Sequence, residues 1–431
     1  MVDAHRPLPP ASVAPGRLPA SGSAPPDWMA EFSLRKPPPG FIDDPYPWYA
    51  ELRRHAPVQA LGGDACLLTR YEDIVAVYRH PDARSDKRRE FGPKFGVGTP
   101  LYEHHTTSLV FNDPPLHTRV RRLLMGALNQ RAIARMEMGV NTLVDSLLDA
   151  LQERASEPVD LITEFAAGIP IEVIGNLLDV PSSERAPLRG WSLAILSALE
   201  PAPSEATLAA GHAAVTEFCE MLRGLVDHRR RHPGDPQADV LTRLLQAGND
   251  NGADAPFTEA ELLHNCIFLL NAGHETTTNL IGNGVHALLG QRHALEQLQA
   301  NPGLLGSAVE ELLRFESPLQ LNNRLSAGPI ELSHTVLPAG TFITLAVGAA
   351  NRDPAVFADP DRLDLARKPN LHLAFGHSAH ACAGMNVARL EARVAIGRLV
   401  QRFPALDFAG KPERDPRVRF RGFARLPVQL I

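Results

Sequence analysis

Phe375-Gly376-His377-Ser378-Ala379-His380-Ala381-Cys382-Ala383-Gly384 places one cysteine in a glycine-flanked loop immediately ahead of a helix. The helix is legible downstream in Val387, Leu390 and Val394, apolar at i, i+3 and i+7, and Pro404 stops it after Phe403. Cys382 therefore sits at a helix N-terminus. Unpaired amides and the positive end of the helix dipole favour thiolate there and predict a lowered thiol pKa. Gly376 and Gly384 permit the backbone to turn tightly around the sulfur. The arrangement suits a thiolate bound to iron. A buried structural cysteine at a helix start accounts for part of the same pattern, so the surrounding chain has to decide between the two.

The bulk composition narrows the classes. A chain of 431 residues, with no linker-like stretch after about residue 40, reads as one large unit from 28 to 431. It is 44% hydrophobic and 21% charged, and a net charge of −6 argues against a nucleic-acid partner. The four cysteines, Cys66, Cys219, Cys266 and Cys382, show no CxxC spacing, which argues against a zinc site or a disulfide framework and fits a reducing cytoplasm. Residues 1–27 are rich in Pro, Ala and Ser and carry no apolar run of signal-peptide or membrane-anchor length, so they read as a disordered tail.

Periodicity predicts a mainly α protein with small β-sheets. A short helix spans Trp48 to Arg54, and Val58–Leu61 and Cys66–Thr69 flank the turn Gly62-Gly63-Asp64 as a β-hairpin. Thr341–Val347 alternates as a strand. Residues 86–108, with three glycines among charges, predict a long loop, and His104-His105 a loop surface rather than a metal pair. Residues 117–230 are helical in pattern. A long helix opens with a capping box, Thr258 as N-cap and Glu261 at N3, and runs to Gly290. In its middle, Gly273 and the threonines 276–278 predict a local opening or kink.

The Phe375–Gly384 stretch resembles the haem-ligand loop of the cytochrome P450 family, Phe-Gly-x-Gly-x-His-x-Cys-x-Gly, with Ser378 where the family has its second glycine. If the native backbone has positive φ at that position, serine alters the turn. Three further family motifs occur in order over residues 41–431. Ala272-Gly273-His274-Glu275-Thr276-Thr277 matches the oxygen-binding groove with its acid-alcohol pair. Glu311-Leu312-Leu313-Arg314 matches the Glu-x-x-Arg element, and Arg362 its later arginine partner.

The resemblance implies a haem-thiolate monooxygenase of the soluble bacterial type, with haem b ligated by Cys382. Phe375, Gly384, Ala272, Gly273 and Thr276 would then line the cofactor, and His117, Arg121, Arg324 and His380 would hold its propionates. Glu275 and Thr276 would relay protons to iron-bound oxygen. Glu311, Arg314 and Arg362 would form a buried structural network, and Phe268, Asn271 and Gln320 would face an organic substrate beneath the 86–108 segment. Electrons from NAD(P)H would arrive through a ferredoxin or flavodoxin and its reductase, docking at Arg122 and Arg389 on the thiolate side. A peroxide-driven or atypical member of the fold, and a non-catalytic haem sensor, are the alternative readings.

Overall fold

The computed structural model describes residues 24–128, 130–236, 239–247 and 255–431. Most of the expected tail, residues 1–23, lies outside them. From Asp27 the chain forms a 3-10 turn, and Met29, Phe32 and Leu34 pack with Leu321 and Ala346.

Seven helices frame the site: α1 (Arg88–Phe95), α2 (Pro100–Thr107), α3 (Leu116–Ala127), α4 (Gln130–Gln152), α5 (Glu259–Gly290), α6 (Leu305–Phe315) and α7 (Met385–Arg402). The main sheet has five strands: β1 (Val58–Ala60), β2 (Ala65–Leu68), β3 (Ala83–Arg84), β4 (Leu321–Ser326) and β5 (Phe342–Ala346), in the order β1-β2-β5-β4-β3. β1 and β2 form the expected hairpin, Val58 opposite Leu68. β2 runs parallel to β5, Cys66 beside Ile343, and β4 antiparallel to it, Leu321 beside Ala346.

α5 is the axis of the molecule. Its capping box forms as the sequence predicts: the Glu261 N–H donates to Thr258 Oγ1 (3.2 Å) and the Thr258 N–H to Glu261 Oε2 (2.9 Å). Downstream, Leu280, Ile281, Val285 and Leu288 pack with Leu312 of α6 and Ile396 and Leu399 of α7 in one apolar cluster. Each such side chain, fully buried, contributes about 1.5–3 kcal/mol. Gly284 permits the close approach, since a Cβ there would lie 3.0 Å from Ile396 and 3.1 Å from Leu312. The predicted opening of α5 is not present: the helix is continuous through Gly273–Thr278. Instead the hydroxyls of Thr276 and Thr278 fold back onto the carbonyls of Ala272 (2.6 Å) and His274 (2.9 Å), satisfying them without breaking the helix.

The segment 86–108 is also not a loop. It forms α1 and α2, joined through Gly96 to Thr99. Phe91 and Phe95, one turn apart, bury against the rings of His105, and Pro100 starts α2 at a position where its missing N–H costs nothing. His104 and His105 are buried, at 2% and 3% exposure, not on a loop surface. Polar histidines at core positions hid the helical period.

Candidate functional site

The cysteine loop closes on itself when the Cys382 N–H donates to the Phe375 carbonyl (2.8 Å). Gly376 takes φ of +68° and Ser378 φ of +59°, so the serine does occupy a left-handed position that favours glycine. Its Oγ lies 2.8 Å from His377 Nδ1. A 3-10 turn over Ser378–His380 then leads to Gly384, the N-cap of α7. Cys66, Cys219 and Cys266 are buried, whereas Cys382 is exposed.

Exposure recurs where it is least expected. Ala272 is exposed in the middle of α5, between the buried Asn271 and His274, and Gly273 and Thr276 are half-buried on the same stretch. An accessible strip on the central helix, together with an accessible thiol at the start of the helix packed against it, marks an internal surface that fits a flat prosthetic group. The dipole argument for the thiol does not survive. Although the Cys382 thiol is accessible on one side, the protein packed around the rest of it desolvates it and pushes its pKa up, and the Gly384 N–H, Arg121 and Arg389 only partly offset this. A metal ion at the sulfur would deprotonate it outright.

Four predicted side chains from three segments converge beside this surface. The rings of His117, on α3, and His380 lie 3.9 Å apart. Burial, then Arg324, His117 and Arg121, push His380 down to about 3; burial and Arg121 also lower His117, so both are neutral imidazoles at pH 7. Arg324, buried on β4, donates to the Asn323 carbonyl (2.7 Å) and lies over the ring of Tyr78 (5.1 Å). His117 Nε2 is buried with no partner. Donors and cations gathered beside the thiol are the chemistry that carboxylate groups such as propionates require.

On α5, Thr276 is half-buried next to Ala272, and its hydroxyl donates to the carbonyl there. Glu275 points elsewhere. Its carboxylate is 4% exposed, ion-paired with Arg417 and hydrogen-bonded by Asn279 Nδ2 (3.1 Å). Phe268 is half-buried in the apolar cluster that includes Leu263, Ile267, Phe420 and Ala383, the neighbour of Cys382. Asn271 is 3% exposed, and neither end of its amide has a partner.

The family model for cytochrome P450 matches residues 204–430. Cytochrome P450 107B1 of Saccharopolyspora erythraea is 39% identical over 415 residues, covering 90% of this chain and 96% of that protein. Cytochrome P450 monooxygenase PikC of Streptomyces venezuelae is 36% identical over 90% of this chain and 92% of its own length. Among solved structures, P450BioI in complex with an acyl carrier protein ligated to hexadec-9Z-enoic acid superposes with a TM-score of 0.84 at 32% identity, covering 91% of this chain and 100% of that one. This chain belongs to the cytochrome P450 family. It is a monooxygenase-type oxidoreductase, and among the described residues no helix is long and apolar enough to cross a membrane.

The P450 fold also corrects several expectations. Glu311 and Arg314 form a bidentate pair, 2.7 Å on both arms and fully buried, as predicted. Their third member is Arg367, not Arg362. Arg367 Nε reaches both Glu311 oxygens at 3.1 Å, while the Arg362 side chain is 66% exposed and supplies only its carbonyl, to Arg314 and Arg367. Gln320 is withdrawn from the substrate pocket: it is buried, donates to the Ser317 carbonyl (2.8 Å), and packs against Gly348. Its neighbour Leu319 faces the cluster around Phe268 instead. Arg389 is not a free docking charge, because Glu310 binds it at 2.7 and 2.8 Å. Arg122 is exposed on α3.

Sequence reasoning missed Arg417, which holds Glu275 from 142 residues away. It also missed Glu391 on α7, which is 1% exposed and whose carboxyl burial pushes up to about 8 against Thr277. Neither sits in a motif, and no spacing announces it.

Proposed function

We propose that this P450 binds haem b through Cys382 and inserts one atom of dioxygen into a C–H bond of a small organic substrate. NAD(P)H supplies the electrons through a ferredoxin or flavodoxin and its reductase, in the cytoplasm, and residues 28–431 act as one unit. The observation that carries this reading is the accessible Cys382 thiol at the start of α7, with Ala272 and Thr276 as the accessible strip of α5. When bound, the haem iron supplies the oxygen chemistry, and a thiolate ligand favours O–O cleavage.

The chain's own residues do the rest. Phe375 and Gly384 hold the loop in register around the sulfur. His117, Arg121, Arg324 and His380 anchor and orient the propionates. Thr276 keeps a proton at Oγ1 on the strip, and the adjacent Glu275, which has to leave Arg417 and Asn279 to reach it, is the side chain assigned to pass protons on to it. Relatives of similar length that are named monooxygenases support oxygenation over a non-catalytic sensor.

The test is carbon monoxide added to the reduced, haem-loaded protein. The wild type should show the far-red Soret band of a haem-thiolate, Cys382→Ser should lose it, and substrate-dependent NAD(P)H use should yield an oxygenated product. A Cys382→Ser protein that keeps the band would remove the ligand assignment.

A further inference from the structure

An unbalanced cation group sits on the edge of the apolar cluster that leads to Cys382. Three segments distant in sequence build it: Lys87 and Lys94 at the two ends of α1, Glu200 beyond the Leu188–Ser197 helix, and Arg419 in the turn after Glu413–Arg414. The two carboxylates present are already committed. Glu90 accepts from Lys87 Nζ (2.9 Å), and Glu200 accepts the backbone N–H groups of Val418 (2.9 Å) and Arg419 (3.4 Å). Lys94 Nζ donates to the Glu200 carbonyl, a neutral acceptor, at 2.8 Å. Arg419 likewise finds only neutral acceptors, Asn323 Oδ1 at 2.7 Å and the Leu321 carbonyl at 3.4 Å. Its Nε is buried without a partner, and among the described residues no carboxylate lies within ion-pairing distance of it.

A half-buried guanidinium with an unused donor and only the longer-range charge of Glu90, already bound by Lys87, to offset it is costly to keep. A planar fork of that kind is matched by a carboxylate. The next residue, Phe420, bridges to Leu319, and both pack in the same cluster as Phe268 and Ala383. The residue after Arg419 and the residue after Cys382 therefore belong to one apolar cluster. Burial and then the charge of Arg419 push Lys94 down to about 8, which an incoming anion relieves.

We propose that Arg419, with Lys94 beside it, anchors the carboxylate of an amphipathic organic acid whose apolar body lies along Phe420, Leu319 and Phe268. This makes organic acids the substrate class and rests on the monooxygenase reading above. Dodecanoate and dodecan-1-ol, titrated by calorimetry into the haem-loaded protein alongside the Soret shift, test it. The wild type should bind the acid roughly ten- to a hundred-fold more tightly than the alcohol, the worth of one charge-assisted hydrogen bond. Arg419→Gln should erase that margin while leaving the alcohol's affinity unchanged, and Arg419→Lys should restore part of it. Equal binding of acid and alcohol by the wild type overturns the proposal, as does a margin that persists in Arg419→Gln. The carbon monoxide band is recorded for each variant, so loss of the haem-thiolate site reads separately from loss of acid recognition.

Discussion

Thr276 and Ser378 each carry a conflict between local preference and place. Thr276 spends its hydroxyl on the Ala272 carbonyl, yet it is the polar side chain on the accessible strip of α5. Thr276→Ala should leave folding intact, because removing a back-bonding threonine from a helix costs little. It should instead raise the hydrogen peroxide released per NAD(P)H consumed several-fold with a substrate that is turned over; an unchanged ratio would remove Thr276 from the proton path. Ser378 sits at φ +59°, which costs a non-glycine residue about 1–2 kcal/mol. Glycine would relieve that strain but add about 0.5–1 kcal/mol of unfolded-chain entropy. Ser378→Gly should therefore move the thermal midpoint of the haem-loaded protein only slightly, while Ser378→Val should destabilise by about 1–3 kcal/mol, since a β-branched residue is excluded from that region. Calorimetric scans of the pair check the ordering.

At the scale of elements, a connection without regular structure supplies the third arm of the Glu311 network. Glu311 lies on α6 and is fully buried, and Arg367 reaches it from the irregular chain between Asp359 and Leu373. Arg367→Ala leaves Glu311 with Arg314 as its one cation, beside the Asp364 N–H (2.9 Å) and Asn370 Nδ2 (3.1 Å), and forfeits the bonds to the Ala358 (2.7 Å) and Asp359 (3.2 Å) carbonyls. The cost should be about 3 kcal/mol. Arg362→Ala, removing an exposed side chain, should cost under about 0.5 kcal/mol. Urea midpoints of the two variants separate these outcomes, and equal losses would restore Arg362 to the network. The motif Glu-x-x-Arg was legible because its i, i+3 spacing is a property of one helix. The choice between two arginines five residues apart was not, because it depends on the course of the irregular chain that turns Arg367 inward and leaves Arg362 exposed. α1 and α2 were illegible for a related reason: a glycine-rich joint and buried histidines imitate a polar loop.

For the whole molecule, buried neutral histidines set the acid limit of stability. Burial is the main cause that holds His105 and His274 at about 3 and His264 and His286 at about 4, and it lowers His104 well below its usual value. Between pH 6.5 and about 4 the unfolded chain takes up protons at these sites and the native protein does not, so stability falls as pH falls. By pH 5.5 each costs about 1 kcal/mol, and together they approach the whole stability of a typical domain. Glu316 and Glu310 act later. Burial alone would raise them, but Arg421 and Arg414 around the first, and His372 and Arg389 around the second, hold both at about 2, so their contributions are lost only as pH drops below 4.5. The urea midpoint should therefore fall steeply between pH 7.5 and 5.5, before the ion-paired Glu316 and Glu310 are protonated and with only the single buried Glu391, at about 8, acting in the opposite sense; a flat profile there would mean that the histidines gain partners. The cysteine loop, the capped α5 and the acid-alcohol pair could be read directly, because each is a contiguous string whose spacing carries its own geometry. Folding settled the pairing of Glu275 with Arg417, the partner of Glu311, the sign of the shift at Cys382 and the unused donor of Arg419. Those depend on which distant segments are pressed together and how much water they expel, and neither quantity is written in local order.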